Sequence, residues 1–169
     1  MAVSVHRGAL SLDKLRLPQL VGAARKGNVV FNPDERRLQR RLPKRSALMR
    51  RLVPVLRQLG LTERRTVGPA VLMHSLPGCR RQQWHTDYDP DTLERAEGGA
   101  LPMGVLVALQ PDTLFHTPTK KYRLSAGDVL CFDASVVHAG AAYRKENTRV
   151  HVYLEVDAVS RQRNRTWLV

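Results

Sequence analysis

Cysteine is scarce in this chain of 169 residues, which has only Cys79 and Cys131. Two are too few for a disulfide framework, and their separation matches no zinc motif. The expected setting is therefore a reducing, intracellular one, cytoplasmic or nuclear. Long apolar runs are also missing, and no stretch approaches the ~18 to 20 residues that a membrane span needs. The opening residues MAVSVHRGALSLDKL hold no apolar run followed by a small-residue cleavage site, which argues against a secretory signal. They are basic and almost acid-free, so organelle targeting stays open. Acid is scarce only at one end. Residues 1–66 carry 16 Lys or Arg against 4 Asp or Glu, and residues 67–169 carry 12 against 11, so the net charge of +13 sits in the first third.

With 43% apolar residues, the chain is long enough to bury a sizeable core. The basic third invites a polyanion, either nucleic acid or an acidic protein segment, through residues 36–51. Solvated helix faces rich in Arg are the plainer alternative. Leu48, Leu52, Val55, Leu56 and Leu59 recur with helical period, predicting an amphipathic helix over 45–60 that Gly60 ends. Asn32-Pro33-Asp34-Glu35 reads as a helix start, and Arg36 to Leu42 as a short basic helix closed by Pro43. From Val67 the pattern becomes short extended runs between turns: 70–75, 83–87, 104–109, 128–132 and 149–156. The expected division is a basic helical region, 1–66, packing on a β core, 67–169. Many short strands argue for an antiparallel sandwich or small barrel.

Three segments carry chemistry. In Trp84-His85-Thr86-Asp87-Tyr88, residues two apart on a strand share a face, so His85 and Asp87 can reach one ion. Gly127 to Gly140 is a turn, then a hydrophobic strand, then His138 beside a glycine that permits close packing. Two imidazoles and one carboxylate leave three coordination positions open, which suits non-haem Fe(II). In Arg149-Val150-His151-Val152-Tyr153-Leu154-Glu155, alternation puts Arg149, His151, Tyr153 and Glu155 on one face. An inward arginine is costly without an anion, and a ligand carboxylate fits it bidentately.

The order His85-x-Asp87, then His138, then Arg149 resembles the Fe(II)/2-oxoglutarate-dependent oxygenases. Leu76-Pro77-Gly78-Cys79, Ala126-Gly127-Asp128 and His138-Ala139-Gly140 are most similar to the phytanoyl-CoA-hydroxylase-like branch. The resemblance spans about residues 70–156. It implies a double-stranded β-helix (a jelly roll, cupin-like), mainly β, flanked by N-terminal basic α-helices. It also implies Fe(II) held by His85, Asp87 and His138, 2-oxoglutarate as cosubstrate on Arg149, and O2 as oxidant. His151 stands where family members often carry Ser, and could still donate to the cosubstrate. Glu155 occupies the position of a second arginine found in alkylation-repair demethylases, which disfavours a nucleobase demethylase.

Other readings accompany these. Gln83 is expected on the His85 face and Tyr88 near the cavity mouth, both as substrate contacts. Trp84, His74 and Cys131 are expected in the core, Cys79 on an exposed turn, and His116 is a rival to His138. Asp87, Asp89 and Asp91 could suggest Ca2+, but Pro90 and the missing Gly and Glu depart from an EF-hand loop. The loop 89–100 is either a lid or a plain surface loop. Functional alternatives are a nucleic-acid-binding jelly roll with a vestigial metal site, and a metal-bound cupin-type protein without 2-oxoglutarate.

Overall fold

The computed structural model describes residues 3–29, 34–94, 99–159, 161–162 and 166–169. In chain order the elements are β1 (Val3–His6), α1 (Leu17–Arg25), β2 (Asn28–Val29), β3 (Arg37–Leu42), α2 (Ala47–Gln58), β4 (Thr66–Ser75) and β5 (His85–Thr86). They continue with α3 (Pro90–Glu94), β6 (Met103–Ala108), β7 (Thr113–His116), β8 (Lys121–Leu124), β9 (Val129–Asp133), β10 (Ala139–Gly140), β11 (Asn147–Glu155) and β12 (Trp167–Leu168). Seven strands form one antiparallel sheet in the order β1-β9-β6-β11-β4-β3-β2. A three-stranded sheet, β10-β7-β8, and a two-stranded one, β12-β5, complete the strands.

The period-two alternation explains how one sheet serves two purposes. On one face, Ala70, Leu72, Val105, Val107, Val129, Cys131, Val150, Val152 and Leu154 meet the buried face of α2, formed by Leu48, Met49, Leu52 and Leu56. Helix α2 forms because its apolar residues fall on one stripe, and because the Ser46 hydroxyl accepts from the Met49 N–H at 3.3 Å. On the opposite face, Leu106, Ala108, Leu130 and Phe132 pack against Phe115 and Leu124 of the small sheet. Phe132 lies flat over Gly104, where a β-carbon would collide with the ring. The candidate site sits on this second face.

The strands expected over 70–75, 104–109, 128–132 and 149–156 correspond to β4, β6, β9 and β11, and the helix over 45–60 to α2. Arg36 to Leu42 is not helical. Residues Arg37–Leu42 form strand β3, paired with β4 from Arg37↔Ser75 to Leu42↔Ala70. The i, i+4 pair Leu38 and Leu42 mimics a helix. The ladder offered by β4 decides otherwise. Helix α1, of nine residues, and strands β1, β7 and β8, of four each, are too short for their periodicity to stand out in the sequence. The proposed helix start at Asn32-Pro33 lies outside the described residues.

Candidate metal centre and anion pocket

Strand β5 is only two residues long, but both sides of it are tied. On one side it pairs with β12, Trp167 opposite Thr86 and Leu168 opposite His85. On the other, His85 and His138 exchange backbone hydrogen bonds of 3.0 and 2.9 Å. The two imidazoles therefore face each other, with ring centroids 4.5 Å apart. Each Nδ1 lies against a carbonyl two residues earlier, His85 at 2.8 Å from Gln83 O and His138 at 2.9 Å from Val136 O. A carbonyl can only accept, so Nδ1 carries the proton and each Nε2 is left with a free lone pair, the tautomer a metal requires.

Asp87 is buried, and its Oδ2 has no hydrogen-bond partner. It lies 3.7 Å from His138 Nε2 and 3.5 Å from His151 Nε2. Ligand atoms of His85, Asp87 and His138 all fall within 4.8 Å of one another. A buried carboxylate oxygen without a donor is costly, and a cation between it and two bare imidazole nitrogens removes that cost. The residues thus fit a metal ion bound by two nitrogens and one oxygen. Burial opposes ionisation of Asp87, but His138, His151, His85 and Arg161 outweigh it and hold the carboxyl below its ordinary value. Burial likewise lowers His85, with the neighbouring His138 adding to the effect. It pushes His151 down to about 4 against the pull of Asp87, so this ring is neutral near pH 7.

A cavity of about 170 Å³ opens beside these residues. Arg149, on β11 between β4 and β6, projects into it and is buried. Its Nη1 donates to Ser75 Oγ at 3.1 Å, and its guanidinium sits 5.3 Å from the Tyr143 ring centroid. Arg37 of β3 also lines the cavity and is buried. Its Nη2 donates to the carbonyls of Arg80, Gly140 (3.2 Å) and Ala141 (2.7 Å). Its Nε lies 3.5 Å from Asp34. Burial and the neighbouring Arg149 cation lower the pKa of Arg37. Apolar walls come from Leu106, Leu114, Phe115 and Phe132.

Of the residues singled out in the sequence, His85, Asp87, His138, Arg149 and His151 converge on this cavity. Gln83 does not. It is exposed because β5 begins at His85, so alternation does not reach back to it, and Gln82 lines the cavity instead. Tyr88 is not at a cavity mouth either; it is buried with Leu93, Ala134 and Val159. Cys79 is buried rather than exposed, packed with Ala141 and Tyr143. His116 lies on β7 outside the cavity. Asp89 serves the start of α3, its Oδ1 accepting from Asp91 N at 3.2 Å, and Asp91 is exposed. Of the loop 89–100, residues 95–98 lie outside the described residues. Ser75, Arg37 and Arg161 had no sequence signal, because their position depends on tertiary packing.

No family model and no curated protein matches the chain in sequence. The fold is nevertheless shared with solved structures. Viral collagen prolyl hydroxylase from Paramecium Bursaria Chlorella virus-1, in complex with 2-oxoglutarate, superposes with a TM-score of 0.67 at 16% identity, over 92% of this chain and 97% of that one. HygX from Streptomyces hygroscopicus, with nickel and 2-oxoglutarate bound, gives 0.68 at 13%, over 96% and 85%. A Pseudomonas putida prolyl-4-hydroxylase gives 0.62 at 11%, over 92% of each. The chain therefore has the antiparallel β fold that 2-oxoglutarate oxygenases are built on. No helix among the described residues is long and apolar enough to cross a membrane.

Proposed function

We propose that this chain is an Fe(II)- and 2-oxoglutarate-dependent oxygenase that hydroxylates its substrate, of the phytanoyl-CoA-hydroxylase-like type its motifs resemble. One observation carries the reading. Two imidazoles with bare Nε2 atoms and a partnerless buried carboxylate oxygen converge within 4.8 Å, beside a cavity that also contains Arg149. His85, Asp87 and His138 would hold the iron. Bound there with 2-oxoglutarate, Fe(II) supplies activation of O2, coupled to decarboxylation of the cosubstrate to succinate and CO2.

The protein's own work is positioning. Arg149 takes the distal carboxylate of 2-oxoglutarate as a two-pronged donor, and Ser75 fixes its guanidinium. The neutral His151 is placed to donate to the cosubstrate or to Asp87. Phe115 and Phe132, packed on the His138 ring at 5.2 and 4.8 Å, exclude water from one side of the centre. Gln82 Oε1 accepts from Gly140 N at 3.0 Å, holding the strand that follows His138. The cations Arg40, Arg41, Lys44, Arg45 and Arg50 are exposed, which supports a polyanionic or acidic protein partner in the substrate's neighbourhood. The test is succinate formation by protein loaded anaerobically with Fe(II), then given O2, 2-oxoglutarate and candidate substrates. Succinate should exceed that from a His85→Ala control, and equality with the control sinks the reading.

A further inference from the structure

The last residues of the chain return to the metal-ligand strand. Beyond the β12–β5 pairing, Val169 N donates to Trp84 O at 3.0 Å. This path brings Arg161 and Thr166 to the wall of the same cavity that holds His85, Asp87, His138 and Arg149. The Arg161 guanidinium lies 3.9 Å over the Tyr153 ring, and its Nε is buried without a hydrogen-bond partner. No described carboxylate forms an ion pair with it.

Charge pairing singles this arginine out. In the reading proposed above, a divalent metal is answered by Asp87 and by one carboxylate of the cosubstrate. Arg149 takes the other carboxylate. Arg37 already has Asp34 and three backbone carbonyls. Among the described residues of the cavity, Arg161 feels Asp87 only through its field and has no hydrogen-bonded anion of its own; it is stacked on an aromatic face that orients it without neutralising it. A partly buried guanidinium with an unsatisfied Nε–H is a strong site for a carboxylate or phosphate oxygen.

We propose that Arg161 is the substrate-recognition group of this site, and that the substrate presents an anionic carboxylate or phosphate to it beside the metal. This rests on the oxygenase reading. Thr166 lines the same wall. The anion places its own molecule between Arg161 and the metal, so Arg161 selects substrate and leaves cosubstrate binding to Arg149.

The test is calorimetric titration of the full chain, loaded with Ni(II) and 2-oxoglutarate, with phenyl phosphate, benzoate and benzyl alcohol. At least one anion should bind saturably and more tightly than the uncharged alcohol, and the stronger of the two identifies the anion type. Arg161→Gln should weaken that anion about tenfold or more, while Arg161→Lys retains most of it. Both variants should bind 2-oxoglutarate as the wild type does, which also certifies their folding. Anions binding no better than benzyl alcohol, or equally well to Arg161→Gln, overturn the inference. So does a loss of 2-oxoglutarate affinity in Arg161→Gln, which would assign the arginine to the cosubstrate. Failure of the wild type to bind 2-oxoglutarate at all is a different result: it sinks the oxygenase reading, and this inference with it.

Discussion

Replacing Arg37 by Met should destabilise the protein by about 3 kcal/mol while preserving the volume of the side chain. The guanidinium makes two short charge-assisted bonds, to the Ala141 carbonyl at 2.7 Å and to that of Arg80. At about 1.5 kcal/mol each these give about 3 kcal/mol. The third bond, to Gly140 O at 3.2 Å, adds little. Repulsion from Arg149 and desolvation of the guanidinium subtract from the sum, whereas the carbonyls left behind without a donor add to the cost. The assay is urea unfolding. With a slope of about 2 kcal/mol per molar, the midpoint should fall by about 1.5 M at unchanged slope. Arg40→Met, at an exposed position on the same strand, should leave the midpoint within about 0.3 M. A shift for Arg37→Met as small as that for Arg40→Met would refute the claim that Arg37 ties β3 to the loop at Arg80 and to β10.

Three further outcomes are expected. Asp128 accepts from Gly8 N at 2.8 Å, Ser125 N at 2.9 Å and Arg7 Nη1 at 2.6 Å. Burial opposes its ionisation, but these donors outweigh that and hold the carboxyl below its ordinary value of 3.8. A depressed folded pKa means its stabilisation is present above 3.8 and is lost as pH falls further. Asp128→Asn should therefore lower the melting temperature at pH 7, with the difference from wild type shrinking below about pH 4, as scanning calorimetry would show. Gly140→Ala places a β-carbon on Gln82 Oε1, so this side chain must swing away and give up its bond from Gly140 N; the substitution should cost about 0.5–1.5 kcal/mol in urea and weaken metal binding. Ni(II) at one hundred times its dissociation constant should stabilise the wild type by about 2.7 kcal/mol, an effect reversed by chelator and absent from Asp87→Ala.

What the sequence made legible depended on locality. Arg149 to Leu154 alternates strictly between polar and aliphatic residues, and β11 follows that alternation, with Val150, Val152 and Leu154 toward α2 and Arg149 and His151 toward the cavity. His85 and Asp87 are two residues apart, so their shared face could be read directly. His138 was distinguishable from His116 by the strand and glycine around it. Features set by pairing were not readable. Arg37 to Leu42 satisfies a helix pattern as well as a strand pattern, and only the β4 ladder selects between them. Alternation puts Gln83 on the His85 face only if it extends past the two residues where β5 exists, and it does not. Tyr88 and Cys79 are buried by segments distant in sequence, Val159 for one and Ala141 with Tyr143 for the other. Arg161 reaches the site only because the chain end pairs with β5.

The central claim is that His85, Asp87 and His138 hold a metal to which 2-oxoglutarate binds, anchored by Arg149. Titrating 2-oxoglutarate calorimetrically into Ni(II)-loaded protein tests it most directly. One molecule should bind per chain, only when metal is present, with affinity lost in Asp87→Ala and reduced at least about thirtyfold in Arg149→Gln. Binding that is absent from the wild type, indifferent to metal, or unchanged in Arg149→Gln would contradict the account.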